Sequence, residues 1–441
     1  MPNPVAEAAV EALEIDAFAK DIQDLVPQFD CLYSFFKKEA NTVPISNVTA
    51  AGGTSRAAFR VNMRIQGGAP ITQGTGNADS LGRGTGSQWV GMALAPVIFY
   101  SVCEITYLAR RASQGPKRSE GGFNVQTQEL KNSLTQAMTG LESLLQGDGS
   151  GTLDSIPSTA TINNNTGSGQ STSSIVGLNV AAQFTDQQVV QVFSAIGGTN
   201  RGSFTISYVD PVLNTIYSAG ALPPGTATGD LLIVNGGTGA TGSSLMGLRA
   251  YQTNSTTGTL NGVARSSFPS RLSTPNINLN GTAVTPNIGH RAVTLLGRSL
   301  GPDNEAIQRA VWYTGPDQAM AITNLYYNVL IANAQDVKGD KPLDMGKKFF
   351  TDTFAGRKLH VSWNALPGRL DLICPDTWYL GELIPLELYD FGGGNTVVPV
   401  VDINTGSYLT SNMFAYNCGL NLANSNVRAG VYISNASVPS V

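Results

Sequence analysis

The chain has 441 residues and a formal net charge of −4, and charged residues make up only 13% of it, about half of the usual ~25%. Apolar residues make up 41%, so the chain can bury a large core and lacks the composition of a disordered protein. At ~150 residues per domain, the length allows two or three domains. The acidic balance does not favour a nucleic-acid-reading protein. With two histidines in the whole sequence, histidine catalysis and a His-rich metal site are disfavoured.

Cysteine usage and the N-terminus both favour a protein made in a reducing cytoplasm. The cysteines are scattered and include no C-x-x-C pair, which disfavours a disulfide framework. They are Cys31, Cys103, Cys374 and Cys418. The first residues are acidic, whereas a signal peptide would begin basic and continue apolar. No run reaches the ~18 apolar residues of a membrane span, and the best candidate, residues 97–109, contains Glu104. We therefore expect no membrane partner.

Residues 4–26 are predicted to form an amphipathic helix. Asn3 can cap it, Pro4 suits its first turn, and apolar residues recur at three- and four-residue steps until Pro27 ends the pattern. Residues 1–50 carry eight acids and three lysines, a local charge of −5. Because an apolar stripe on such a helix needs burial, we expect it to pack against another subunit or a scaffold.

The next segment, residues 51–100, has the opposite local charge of +3, from four arginines and one aspartate. Residues 59–65 alternate apolar and polar side chains, and the alternation returns in residues 89–94 after a Gly/Thr-rich tip. This pattern predicts a long two-stranded β-arm. Since an isolated hairpin is marginally stable in water, we expect it to lie on a neighbouring subunit. The candidate contact residues are Arg56, Arg60, Arg64, Arg83 and Trp89.

The rest of the sequence predicts one long helix, a β-rich middle segment and a C-terminal part with both helices and strands. Residues 122–146 carry a leucine stripe at helical spacing, and Gly147 is placed for a C-cap. Between residues 151 and 290, short β-branched runs such as 204–208 and 231–234 alternate with Gly/Pro/Asn turns. Further on, helices are predicted at 289–300 and 316–332, and strands at 357–363, 369–374, 396–403 and 428–434.

One stretch matches a cofactor-binding pattern. Residues 237–242 read G-x-G-x-x-G, but a dinucleotide site also needs an acid about 20 residues further on. After Asp230 the next acidic residue is Asp303. In a chain with 49 glycines such a match is expected by accident, so no cofactor is predicted.

The other candidate residues favour structural roles. Residues 147–152 lack the lysine of a P-loop, and neither His290 nor His360 has a further ligand at metal-binding spacing. Cys374 follows an apolar run, as core cysteines do. Glu382 and Glu387 are a possible glycosidase pair but lack substrate-stacking aromatics. We therefore predict no catalytic residue, no metal and no enzyme.

Two stretches carry a family resemblance. Residues 144–153 read LLQGDGSGTL at the end of the predicted helix, and residues 247–269 begin GLRA and end GVARSSFP. Together with the order of the predicted elements, they resemble the major capsid protein of tailed bacteriophages, which has the Hong Kong 97-type fold. Family members often have a tryptophan shortly after the final proline of the second stretch, where this chain has Leu272.

The resemblance implies an α+β fold in five parts. These are an N-terminal arm with an acidic helix (1–50), an E-loop β-arm (51–100), a P-domain with a spine helix at about 122–146 and a β-rich insertion (101–290), an α/β A-domain (291–375), and returning P-domain strands with the C-terminus (376–441). It further implies hexamers and pentamers in an icosahedral shell, with non-specific contacts to packaged double-stranded DNA. The expected location of the protein is the virion, which is assembled in the host cytoplasm.

The resemblance also implies a portal protein and a scaffold or cement protein as partners. Only about 50 residues precede the β-arm, so we expect the scaffold to be separate or removed before residue 1. Some family members cross-link their shells between a β-arm lysine and a neighbour's asparagine. Here no lysine lies between Lys38 and Lys117, and a guanidinium stays protonated and is a poor nucleophile. A noncovalent shell is therefore predicted.

Two other classes stay open on the residues alone. One is a different self-assembling structural protein, such as a tail tube or a surface layer, although a secreted surface protein should carry an export signal. The other is a polysaccharide-processing enzyme, which should show a convergent acid/base cluster. Neither feature is found in the sequence.

Overall fold

The computed structural model describes residues 32–44, 47–49, 55–57, 59–66, 86–106, 125–164, 173–237, 239–240, 244–301, 304–334, 353–391, 396–402 and 407–438. Within these ranges the helices are α1 (Leu32–Glu39), α2 (Val125–Gln146), α3 (Leu248–Tyr251), α4 (Pro286–Leu300) and α5 (Pro316–Ala334). The acidic helix predicted at 4–26 lies outside the described residues.

The first twelve strands are β1 (Asn41–Pro44), β2 (Asn47–Thr49), β3 (Ser55–Ala57), β4 (Phe59–Gln66), β5 (Gln88–Leu94), β6 (Val97–Thr106), β7 (Thr152–Ser155), β8 (Thr161–Asn163), β9 (Ser173–Val176), β10 (Val189–Phe193), β11 (Asn200–Asp210) and β12 (Thr215–Ser218). The others are β13 (Leu231–Val234), β14 (Thr259–Leu260), β15 (Val263–Ala264), β16 (Asn276–Asn278), β17 (Val311–Thr314), β18 (Thr353–Phe354), β19 (Arg357–Val361), β20 (Leu370–Ile373), β21 (Trp378–Leu388), β22 (Val398–Asp402), β23 (Ser407–Asn424) and β24 (Gly430–Ser434).

Three larger sheets hold most of the described strands, and the pairs β2-β3, β4-β5 and β14-β15 form two-stranded sheets. A five-stranded sheet has the order β1-β21-β23-β22, with β6 pairing with β23. A seven-stranded antiparallel sheet, β7-β13-β10-β11-β12-β9-β8, is built from the β-rich middle of the chain. A six-stranded sheet, β16-β24-β20-β17-β19-β18, mixes parallel and antiparallel pairs. The fold is therefore α+β, with strands from distant parts of the sequence in the five- and six-stranded sheets.

The long helix α2 is the spine of the molecule. It packs against β6 and β23 of the five-stranded sheet. In its C-terminal half, residues 141–147 are all buried, because α1, the seven-stranded sheet and the six-stranded sheet meet around it. Leu141, Leu144 and Leu145 join the larger hydrophobic core, which also holds Trp378 and Val190. A single leucine stripe was predicted, and the structure instead surrounds this half of the helix.

A second core lies within the six-stranded sheet and its covering helix α4. Trp312 and Leu372 on the sheet face Leu296 of the helix in one buried cluster. Trp312 also donates a hydrogen bond from Nε1 to the Phe354 backbone carbonyl at 3.0 Å, which satisfies the polar end of the ring. Gly289 of α4 lies so close to Phe354 that an added Cβ would sit 2.7 Å from the ring. Small residues on this helix face permit that approach.

Most predicted elements are confirmed. The spine helix ends at Gln146, and Gly147 donates its N–H to the Leu144 carbonyl at 3.0 Å. The helices predicted at 289–300 and 316–332 correspond to α4 and α5, and the four predicted C-terminal strands correspond to β19, β20, β22 and β24. The long strands β21 and β23 were not assigned bounds from the sequence.

Candidate assembly surfaces

The two stretches that carry the family resemblance contact each other at the end of the spine helix. Gly247 lies against the helix terminus so closely that a Cβ there would sit 2.5 Å from the Leu145 carbonyl oxygen. Arg249 donates from Nε to the Gln146 carbonyl at 2.8 Å. Arg265, from the end of the second stretch, donates to the carbonyl of Ala250 at 2.6 Å. The residues of the motif therefore fix the chain as it passes the end of α2.

The predicted β-arm forms a hairpin of β4 and β5 in antiparallel register, with Arg60 opposite Ala93 and Arg64 opposite Trp89. The alternation in the sequence predicted the two strands and a buried face, since successive side chains point to opposite faces, but it did not predict the register. The Arg64 side chain is exposed, and Trp89 is 62% exposed. A cation and a large aromatic ring thus stand side by side on the outward face of the hairpin.

The inner face of the same hairpin packs on its own chain. Val61, Met63, Met92 and Leu94 are at most 5% exposed and join the larger core, and Asn261 donates from Nδ2 to the Met92 sulfur at 3.4 Å. The expectation that the arm must find a surface on a neighbour is therefore corrected for this part of it. Burial of one apolar face within the chain leaves the polar face of the hairpin for other contacts.

Of the other candidate contact residues, two lie in strands that the structure describes. Arg56 lies in β3, which pairs with β2 opposite Val48, and Arg60 holds its register position in β4. Arg83 lies outside the described residues. The pairing of Arg64 with Trp89 is thus the part of the predicted set that the structure brings together.

A groove runs beside strand β6, and its apolar and acidic residues complement the aromatic ring and the cation on the outward face of the hairpin. Within the described residues β6 pairs with β23 alone. Its outward residues Ile98, Tyr100 and Val102 are 45%, 63% and 57% exposed. The adjoining cavity of about 490 Å³ is walled by α2, β6 and the loop of residues 185–189. Its lining includes Asp186 and contains no lysine or arginine.

A second exposed apolar site is the tip of the hairpin formed by β11 and β12. Val212 is 87% exposed and Leu213 is 62% exposed. Asp210 fixes the turn, because its Oδ1 accepts the backbone N–H groups of both residues at 2.9 and 3.0 Å. Tyr208 and Tyr217 stack below it with ring centroids 4.0 Å apart. The composition of this segment did not predict an exposed apolar turn.

The surroundings of the residues considered for catalysis favour structural roles for them. His360 lies against Tyr313 and Phe35, with ring centroids 5.7 and 5.5 Å away. Burial raises the pKa of the Cys374 thiol to about 12, so it is not an activated nucleophile. Glu382 accepts a hydrogen bond from the Tyr33 hydroxyl at 2.5 Å.

Of the other sequence candidates, His290 and Glu387 are both exposed. After the glycine-rich residues 237–242, the first described helix is the four-residue α3, which does not provide the helix of a dinucleotide site. The described part of the chain contains no group of three or more His, Cys, Asp or Glu residues placed to hold a metal ion. No helix in it has the length and apolar character to cross a bilayer.

This architecture is the Hong Kong 97-type capsid fold. The capsid structure of cyanophage A-1(L) is similar over 95% of this chain and 97% of that chain, at 13% identity and a TM-score of 0.51. The capsid of the native GTA particle covers 97% and 99%, at 9% identity and a TM-score of 0.46. The structure of Gordonia phage Cozz covers 96% and 91%, at 7% identity and 0.43. No protein-family model matches the sequence, and no curated protein matches it.

Proposed function

We propose that this chain is a major capsid protein, which self-assembles as hexamers and pentamers into an icosahedral shell enclosing double-stranded DNA. The observation that carries the proposal is the similarity of fold to the cyanophage capsid along 95% of this chain and 97% of that one. A similarity over 95% of the chain is not confined to one sheet. A fold alone does not determine function. The exposed surfaces of the β-arm and of strand β6 therefore have to support the proposed assembly as well.

The outward face of the β-arm supports a role as an intersubunit clamp. Tryptophan and arginine are the residue types that most often dominate binding energy at interfaces, and here Trp89 and Arg64 are cross-strand neighbours. The hairpin is held rigidly by its buried inner face, so little conformational freedom is lost when it binds. We propose that this face contacts a neighbouring subunit. The proposed contact residues are Arg56, Arg60, Arg64, Arg83 and Trp89.

The groove beside β6 is the surface that fits this clamp best. The described β-arm residues include no acid, while the groove lining includes Asp186 and no basic residue. The exposed side chains of Ile98 and Tyr100 offer apolar area to a tryptophan ring. A long apolar edge strand without Pro or Lys is normally covered in native proteins. A neighbouring copy would cover it in the shell.

The remaining partners follow from the proposed shell. A portal protein would occupy one vertex, and a separate scaffold or cement protein would guide or reinforce assembly. Because the chain carries a net charge of −4, contacts to packaged DNA would be local and non-specific, made through phosphates. The protein would reside in the virion after assembly in the host cytoplasm.

Electron microscopy of the purified full-length protein tests the proposal. Closed shells with fivefold vertices are the expected result. Tubes would favour a tail-tube protein, flat lattices would favour a surface layer, and a stable monomer at all protein concentrations would favour the enzyme alternative. Each of these three results would contradict the proposed function.

A further inference from the structure

A fully buried glutamate lies at the point where three parts of the fold meet. Glu142, on the spine helix α2, is 0% exposed. Its Oε1 accepts hydrogen bonds from Tyr313 Oη at 2.8 Å, Ser362 Oγ at 2.8 Å and Gln146 Nε2 at 3.1 Å. Its Oε2 accepts the backbone N–H of Leu32, the first residue of α1. One carboxyl group thus joins α1, α2 and the six-stranded sheet.

All four donors to this carboxyl group are neutral. Within the described residues, Glu142 takes part in no ion pair. The ionisable groups that face the junction are Tyr33 and Lys37 from α1, which engage Glu382 instead, and, from the six-stranded sheet, Tyr313 with His360 against its ring. Asp371, also on that sheet, acts electrostatically on Tyr313. A charged Glu142 is therefore buried without a counter-ion.

Some buried polar atoms beside this junction lack a hydrogen-bond partner among the described residues. Gln183 and Asn364 are both 0% exposed, and Gln183 Oε1 and both amide atoms of Asn364 have no hydrogen-bond partner among the described residues. Ser143 and Gln183 nevertheless bond to backbone carbonyls, at 2.8 and 2.9 Å. Buried polar atoms without partners weaken a packed region.

We propose that Glu142 couples the docking of α1 onto the spine helix and the six-stranded sheet to the uptake of one proton. In the docked state the protonated carboxyl keeps Oε2 as the acceptor for Leu32 and carries the proton on Oε1, which donates to the hydroxyl of Ser362. In the undocked state Glu142 is hydrated and ionised. The device makes attachment of α1 sensitive to pH.

The direction of the effect follows from burial. Desolvation raises the pKa of Glu142 above that of an exposed glutamate, and its four hydrogen bonds only partly oppose this shift. A raised pKa in the docked state means that docking is favoured at low pH. The advantage is complete below the ordinary glutamate pKa of about 4.3 and is lost as the pH rises through the raised value. Between these limits one coupled proton changes the docking equilibrium by up to about tenfold per pH unit.

The element that responds is α1, because its first residue, Leu32, donates its backbone N–H directly to Glu142. Leu32 and Phe36 are its fully buried residues, and the Phe36 ring packs against Trp378 with centroids 5.3 Å apart. Lys37, at the other end, is half exposed and lies 3.4 Å from Glu382. When α1 leaves, its amides lose their protection from solvent exchange, which gives the state a direct readout.

Hydrogen–deuterium exchange of the full-length protein tests the proposal, with protection of the peptide covering residues 32–39 corrected for intrinsic exchange at each pH from 4 to 8. We expect protection in the parent protein to fall as the pH rises. In E142Q, which resembles the protonated form, it should stay high and independent of pH. The same pH dependence in E142Q as in the parent, or protection that rises with pH, would overturn the proposal.

Two further variants keep the test decisive if E142Q folds poorly. Y313F keeps the ring and removes one hydrogen bond to the ionised carboxylate, so the pH at which protection is lost should move upward. H360Q removes the imidazole that stacks on Tyr313 and should leave the pH dependence in place. A midpoint that does not move in Y313F, or a pH dependence that disappears in H360Q, would also overturn the proposal.

Discussion

Replacing Trp89 with alanine removes the largest exposed apolar group of the β-arm. The residue is 62% exposed in the single chain, and a tryptophan buries roughly 150–250 Å² when it is fully covered. About 100–150 Å² is therefore free to be buried by a neighbour. At about 25 cal/mol per Å² this is worth at most about 2.5–4 kcal/mol per contact. Since 1.4 kcal/mol is a factor of ten, each contact should weaken by at most about 60- to 700-fold.

The assay is the protein concentration at which assembly begins, followed by light scattering and checked by electron microscopy. W363A is the matched control, because Trp363 is 52% exposed and lies outside the β-arm. Both variants should keep the thermal stability of the unassembled chain, since surface substitutions usually change it by no more than about 0.5 kcal/mol. W89A should raise the threshold concentration strongly and W363A should not. An unchanged threshold in W89A would refute the role given to the β-arm.

Four further predictions follow from the same account. The double variant R60E/R64E should assemble more slowly and at higher concentration than R60Q/R64Q, because the new acids would lie in a groove whose described lining carries Asp186 and no basic residue, at a cost of about 1–3 kcal/mol per desolvated site. Equal assembly of the two variants would count against the clamp. Deletion of residues 1–26 should leave soluble chains or capsomers that fail to close, and normal particles from the truncated chain would disprove this. Mature particles boiled in detergent with reductant should give one band at 46.3 kDa, whereas isopeptide-linked multiples confirmed by mass spectrometry would overturn the noncovalent shell. Cys374, with its pKa raised to about 12 by burial, should react slowly with iodoacetamide at pH 8 in the native protein and quickly in urea, so rapid native labelling would contradict its placement.

Local patterns were sufficient where one physical rule decides the structure. The alternation in residues 59–65 predicted β4 and the face it buries, because side-chain direction in a strand has a strict period of two. The leucine spacing in residues 122–146 predicted the spine helix, and Gly147 marked its end. The two stretches that carry the family resemblance meet in the structure, since Gly247 and Arg249 lie against the end of α2, a contact that was not predicted.

Patterns failed where tertiary structure overrides polarity. Strand β23 has 18 residues and buries Asn417, Asn421 and Asn424. Because these polar residues interrupt the apolar pattern, hydrophobicity alone did not predict the strand. Strand β21 contains Pro385, which demotes a strand prediction, although that residue is exposed in the structure. Glu142 belongs to the polar side of the α2 pattern, which predicts solvent exposure. Only the packing of α1 and the six-stranded sheet over that side makes it a buried junction.

The most direct test of the account is a cryo-electron microscopy reconstruction of the particle that the purified protein forms. The account predicts fivefold and sixfold capsomers in which the outward face of the β-arm, with Arg64 and Trp89, lies against the groove beside β6 of an adjacent subunit. A helical tube or a flat lattice would contradict the capsid function. A closed shell in which Trp89 faces solvent and the groove stays open would contradict the clamp.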